Sequence, residues 1–122
     1  MSQDFYLGNP NLKKVGTEIQ FTKEQIQEYL RCKEDPVYFA MNYIKIISLD
    51  EGIVPFKMWD FQQELIESFH ENRFNIAKLP RQTGKSTTCV SYLLHYILFN
   101  DNVNVGILAN KLSTARDLLG RL

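Results

Sequence analysis

Apolar residues recur at helical spacing in three stretches before residue 72, and each stretch carries its own start or stop signal. Ile26, Tyr29 and Leu30 follow Thr22, which has Gln25 three residues after it. That is the arrangement of a capping box, and a helix is expected over residues 23–32. Val37, Phe39, Ala40, Tyr43, Ile44 and Ile47 follow Asp35-Pro36, an N-cap and a first-turn proline, and predict a buried helix ending near Ser48. Asp50-Glu51-Gly52 breaks the pattern, and Pro55 keeps the next residues extended. Trp59, Phe61, Leu65, Ile66 and Phe69 predict a third helix over residues 58–71. Residues 1–20 hold no sustained period; Gly8-Asn9-Pro10 reads as a turn within an extended surface lead-in.

After Asn72 the pattern changes. Phe74, Ile76 and Leu79 form one short run, and Val103, Val105, Ile107 and Leu108 form another. Between them lies a helix-length segment bearing Val90, Leu93, Leu94, Ile97 and Leu98. This is the outline of a strand, helix, strand unit, and a crossover of that size suits two parallel strands. The 122 residues therefore read as an α/β chain, one domain or part of one, with a helical lead-in over 1–56 and a nucleotide-binding core beginning at 57. The expected core is a parallel sheet with flanking helices.

Charge sharpens this division. Residues 1–70 carry 7 Lys and Arg against 11 Asp and Glu, a net of −4, whereas residues 71–122 carry 7 against 3, a net of +4. The second half is the one that attracts an anion. The stretch Cys89 to Phe99, broken by Ser91 and His95, is too short to cross a bilayer, and MSQDFY lacks the basic and apolar regions of a secretory signal. A reducing cytoplasm is expected, with Cys32 and Cys89 as free, packed thiols. His70 and His95 lie on different predicted helices with no ligand-spaced Cys, Asp or Glu, so no metal cluster is expected around them.

Gly84-Lys85-Ser86 has the ending of a phosphate-binding loop, but Leu79 stands where that loop ordinarily opens on Gly or Ala. Its position, between an apolar run and an amphipathic helix, is the one the motif requires. Unpaired N–H groups and the positive end of the helix dipole favour an anion there. Gly84 permits close backbone approach, Lys85 suits the β and γ phosphates, and the Ser86 hydroxyl suits Mg²⁺. The alternative is a capped helix with a solvated lysine.

Leu79-Pro80-Arg81-Gln82-Thr83-Gly84-Lys85-Ser86 resembles the deviant phosphate loop of tailed-phage large terminases, the ATPases of genome packaging. The resemblance, to the T-even type, extends to "YLGNPNLKK", "RCKEDPVYFAMNYIKI", "MWDFQQELIESF" and "VGILANK". It implies a P-loop NTPase fold, ATP and Mg²⁺ as ligands, and a nucleotide site of Gln62, Gln82, Thr83, Gly84, Lys85, Ser86 and Thr87. It implies that Arg81 acts on the γ-phosphate and that Gln62 reads the adenine edge, for which an amide has the matching donor and acceptor. Further implied are a portal protein, a small terminase subunit and double-stranded DNA as partners, in the cytoplasm of an infected host cell and transiently at the procapsid portal. Arg81 and Gln62 also admit plain surface or structural roles. Lys111, Arg116 and Arg121 suit either DNA phosphates or a solvated helix face.

No apolar run ending in Asp-Glu follows residue 86, and the family's nuclease region has no counterpart. The chain is therefore expected to be the N-terminal portion of a packaging ATPase, truncated and inactive alone. Its alternatives are a non-catalytic module that binds nucleotide or a partner, and part of a helicase-like P-loop ATPase.

Overall fold

Thr22 Oγ1 accepts the Gln25 N–H at 3.2 Å while the Gln25 side chain accepts the Thr22 N–H at 3.0 Å. The capping box is therefore complete, and helix α1 spans Lys23–Glu34. Asp35 ends α1 and caps the next helix, α2, Pro36–Tyr43, its Oδ1 accepting the Tyr38 N–H at 3.0 Å. The computed structural model describes residues 5–122; the first four residues of the lead-in lie outside the described ones. The turn expected near Asn9 is present, closed by Leu12 N–H to Asn9 C=O at 3.0 Å.

Helix α2 stops at Tyr43, short of the expected Ser48. Residues Lys45–Ser48 form strand β1, paired antiparallel with β2, Gly52–Pro55, in the register Lys45↔Pro55 to Ser48↔Gly52. Gly52, at φ +76°, closes the turn in a backbone region that side chains resist. Ile46 and Ile47 are β-branched and fit a pleated ladder better than a helix. The hairpin also delivers Phe56 to the core, its N–H donating to Ile44 C=O at 3.0 Å.

Three helices complete the described chain: α3, Asp60–Glu71; α4, Lys85–Phe99; and α5, Leu112–Leu119. The expected parallel sheet is not formed. Among the described residues the sheet is the two-stranded β1–β2 hairpin, and residues 74–79 and 103–108 belong to no strand. An apolar run states what a side chain prefers, but a strand exists only when a neighbour answers its backbone N–H and C=O groups. Neither segment has that neighbour, and Phe74, Ile76 and Leu108 remain exposed. Of the expected strand, helix, strand unit, the helix alone is formed.

Ala40 of α2, Phe56 and Ile66 of α3 form the buried core, with Val37, Ile44, Ile46, Met58 and Tyr92 packed around it. Helix α4 meets α2 and α3 through Thr88, Ser91 and His95, a buried stripe at i, i+3 and i+7, together with Val90. The stripe is polar where an apolar face was expected, and Ile97 and Leu98 are exposed instead. Backbone carbonyls satisfy it: Thr88 Oγ1 donates to Gly84 C=O at 2.9 Å and Ser91 Oγ to Thr88 C=O at 2.8 Å. Both cysteines are free thiols, as expected, and Cys32 is buried.

His95 Nε2 lies 2.8 Å from the Cys32 carbonyl oxygen, which makes it the protonated nitrogen of the neutral ring. Nδ1 is buried without a partner, among the rings of Phe39, His70, Tyr92 and Phe99. Burial pushes this imidazole below its ordinary value of 6.5, against the opposing pull of the Cys32 carbonyl. The folded protein therefore binds this proton less readily than the unfolded chain. The stability contributed by neutral His95 is full above pH 6.5 and is lost as pH falls below it. Urea midpoints measured from about pH 7 down to about pH 5 are expected to decline, and His95→Phe is expected to flatten that decline.

Candidate phosphate-binding site

The segment between α3 and α4 turns sharply just before α4 begins. Gln82 has φ +60° and Gly84 φ +73°, with Thr83 between them outside the left-handed region. Such alternation turns successive N–H groups toward one side and makes a concavity for an anion. Thr83 Oγ1 braces the turn by donating to Pro80 C=O at 2.9 Å. Helix α4 starts directly from Gly84 with no side chain capping it. Its first backbone bond is Thr88 N–H to Gly84 C=O at 3.0 Å, so the Lys85, Ser86 and Thr87 N–H groups precede any intrahelical acceptor.

Underneath lies Gln62, on the first turn of α3 and only 3% exposed. Its Oε1 accepts the Trp59 N–H at 2.9 Å, and its Nε2 faces the Thr83 and Gly84 carbonyls, at 3.5 Å each. A Cβ on residue 84 would stand 2.7 Å from that Nε2. Glycine suits position 84 for its backbone angle, and any Cβ there would displace the Gln62 amide. Gln62 holds Trp59 by a short bond and the loop by two long ones.

The expected site residues are brought together unequally. Gln82, Thr83, Gly84, Lys85, Ser86 and Thr87 share the turn and first helical turn, with Gln82 and Lys85 exposed and Ser86 and Thr87 half-buried. Lys85 Nζ reaches back to Leu79 C=O at 3.5 Å, which places the ammonium across the loop mouth. Arg81 is exposed on the same turn. Gln62 reaches the loop from below, its amide engaged by the Trp59 N–H and the Thr83 and Gly84 carbonyls. Among the described residues no group of three His, Cys, Asp or Glu stands ready for a metal. Beside the loop, Leu79, Ala77, Cys89, Val90 and Ile107 line a cavity of about 250 Å³.

The contact of Gln62 with the loop was not among the roles read from the sequence, which were the adenine edge implied by the resemblance and a solvated side chain. Its place three residues after Trp59, at the start of α3, signals the bond to the cap N–H and not the loop contact. The positive φ of Gln82 had no sequence signal, because glutamine is not a residue that favours it. Trp59, expected among the helix's apolar contacts, is 73% exposed at the N-cap. Lys111 precedes α5, Arg116 lies on it and Arg121 follows it, all three exposed. No protein-family model matches the chain.

Gly84→Ala is expected to destabilise the protein by about 1–3 kcal/mol, since it strains the backbone and pushes the Gln62 amide off the loop. Adding Gln62→Ala is expected to recover only the steric part. Chemical denaturation of the single and double variants measures both.

Proposed function

We propose that residues 82–87 bind the phosphates of a nucleoside triphosphate. The observation that carries this reading is the alternation of backbone hand at Gln82, Thr83 and Gly84, feeding directly into the uncapped start of α4. Lys85 adds a mobile point charge at the mouth of the loop. Ser86, at the second position of α4, presents the hydroxyl that would share Mg²⁺ with phosphate oxygens and water. The residues fit the phosphates well and supply the cation with a single ligand.

The resemblance of residues 79–86 and the flanking stretches to large terminases supports ATP as the nucleotide and DNA packaging as the process. On that reading the chain contributes the ATP-binding portion of a packaging motor whose hydrolysis drives DNA translocation. Arg81 serves the γ-phosphate during turnover. The portal protein, the small terminase subunit and double-stranded DNA are the proposed partners, in the infected cell and at the procapsid portal. No helix among the described residues is long and apolar enough to cross a membrane.

Calorimetric titration of Mg-ATP is expected to show one site that Lys85→Ala weakens by roughly tenfold to a hundredfold, the range for losing a charge-assisted hydrogen bond. A site indifferent to Lys85→Ala, or no site at all, would overturn the proposal. Gln62→Ala is expected to weaken ATP and GTP together, because the residue supports the loop; a loss confined to ATP would assign it to the base. Arg81→Ala is expected to leave this ground-state binding intact.

A further inference from the structure

Away from the loop, α1, α2 and the end of α4 enclose an apolar groove of about 730 Å³. Its wall is a run of aromatic rings: Tyr29 to Phe99 at 5.2 Å between centroids, Phe99 to Phe39 at 5.3 Å, and Phe39 to Tyr43 at 5.9 Å. One carboxylate, Glu28, stands in this wall. Tyr38 and Tyr43 both donate to the same oxygen, Oε1, at 2.7 and 2.8 Å. Among the described residues Oε2 accepts no hydrogen bond, and the nearby Arg31 guanidinium is stacked over the Tyr38 ring at 3.8 Å.

Those bonds fix the carboxylate and keep it charged: the Tyr38 hydroxyl first, and Tyr43 next, hold Glu28 below its ordinary value. The Tyr43 hydroxyl is pushed up to about 12 by the same contact. A fixed anion beside aromatic faces is the chemistry that recognises an ammonium or guanidinium group. We infer that this groove binds the apolar face of a partner helix and takes one Lys or Arg side chain of that helix onto Glu28.

The occupant's form follows from the wall. Helices have spent their backbone groups internally, and the hydrogen-bonding side chains of the groove are Gln25, Glu28, Tyr29 and Tyr43, of which Gln25 Oε1 and Glu28 Oε1 are already engaged. An extended segment laid there would find a few side-chain acceptors for a whole row of N–H groups, whereas a helix brings its own bonds satisfied. The occupant's charge follows from Glu28 and from the net −4 of residues 1–70. A second copy laid groove to groove would set Glu28 against Glu28, which favours a different, basic partner.

The test is an NMR titration of the full chain with a synthetic amphipathic helix of about 14 residues carrying one Lys beside its Leu face, and a twin with Gln in its place. The Lys probe is expected to shift the Tyr29, Phe39 and Phe99 resonances and to bind at least about fivefold more tightly than its twin. Glu28→Gln is expected to erase that difference. Equal binding of the two probes, or no shift in the groove, would overturn the inference, and this comparison holds on the unmodified protein even where Glu28→Gln fails to fold. Groove resonances that move with protein concentration before any probe is added would overturn it in favour of a second copy. Both readouts are independent of Lys85, so they stand or fall apart from nucleotide binding.

Discussion

The approach of Gly84 to the Gln62 amide is the contact on which the candidate site depends. It joins the start of α3 to the start of α4 through one missing side-chain atom. Gln62 is committed on its other side to the Trp59 N–H, so the loop is referenced to the cap of α3 and not merely to its own turn. The positive φ at Gln82 adds backbone strain on the opposite side of Thr83, of the order of 1 kcal/mol or more. A loop held this way keeps its N–H groups oriented before any ligand arrives, which lowers the ordering cost of binding an anion.

Packing explains how α3 and α4 come close enough for this. The buried stripe of α4 is made of small or flat side chains, Thr88, Ser91 and His95, and not of the leucines nearby. Each hydroxyl answers a carbonyl on its own helix, so burial leaves it satisfied. Of the leucines, Leu93 helps line the cavity with Ala77 and Ile107, Leu94 lies toward β1 and the residues after α5, and Leu98 is exposed. Of the apolar face read from the sequence, Val90 is buried and Leu93 and Leu94 half-buried, while Ile97 and Leu98 are exposed.

What was legible in the sequence was local. The Thr22 and Asp35 caps, Pro36 and the Gly84-Lys85-Ser86 tripeptide each act within a few residues, and each stands where the pattern puts it. The hairpin was not legible, because Ile44 and Ile47 continue the helical period of α2 while Ile46 and Ser48 alternate toward the core, and four residues cannot separate the two periods. Strand pairing at 74–79 and 103–108 was overread, because pairing is a property of two segments and the pattern describes one. The place of Gln62 beneath the loop depends on a contact spanning more than twenty positions, which no local rule contains.

The self-satisfied hydroxyls of α4 have a mechanical meaning. Directional bonds between two helices fix their relative position along the axis; van der Waals contacts between small side chains do so far less sharply. Thr88 and Ser91 carry no such bond outward; in the middle of α4 the outward contact is the longer one of Tyr92 Oη with His70 Nδ1 of α3, at 3.5 Å. Further along, His95 reaches out of the helix to the Cys32 carbonyl of α1 and acts as the pin. The outward polar contacts of α4 thus run from Gln62 of α3 at the loop, through Tyr92 to His70, to the Cys32 carbonyl at His95, and the last joins the helix that begins at the loop to the helix that forms one wall of the aromatic groove.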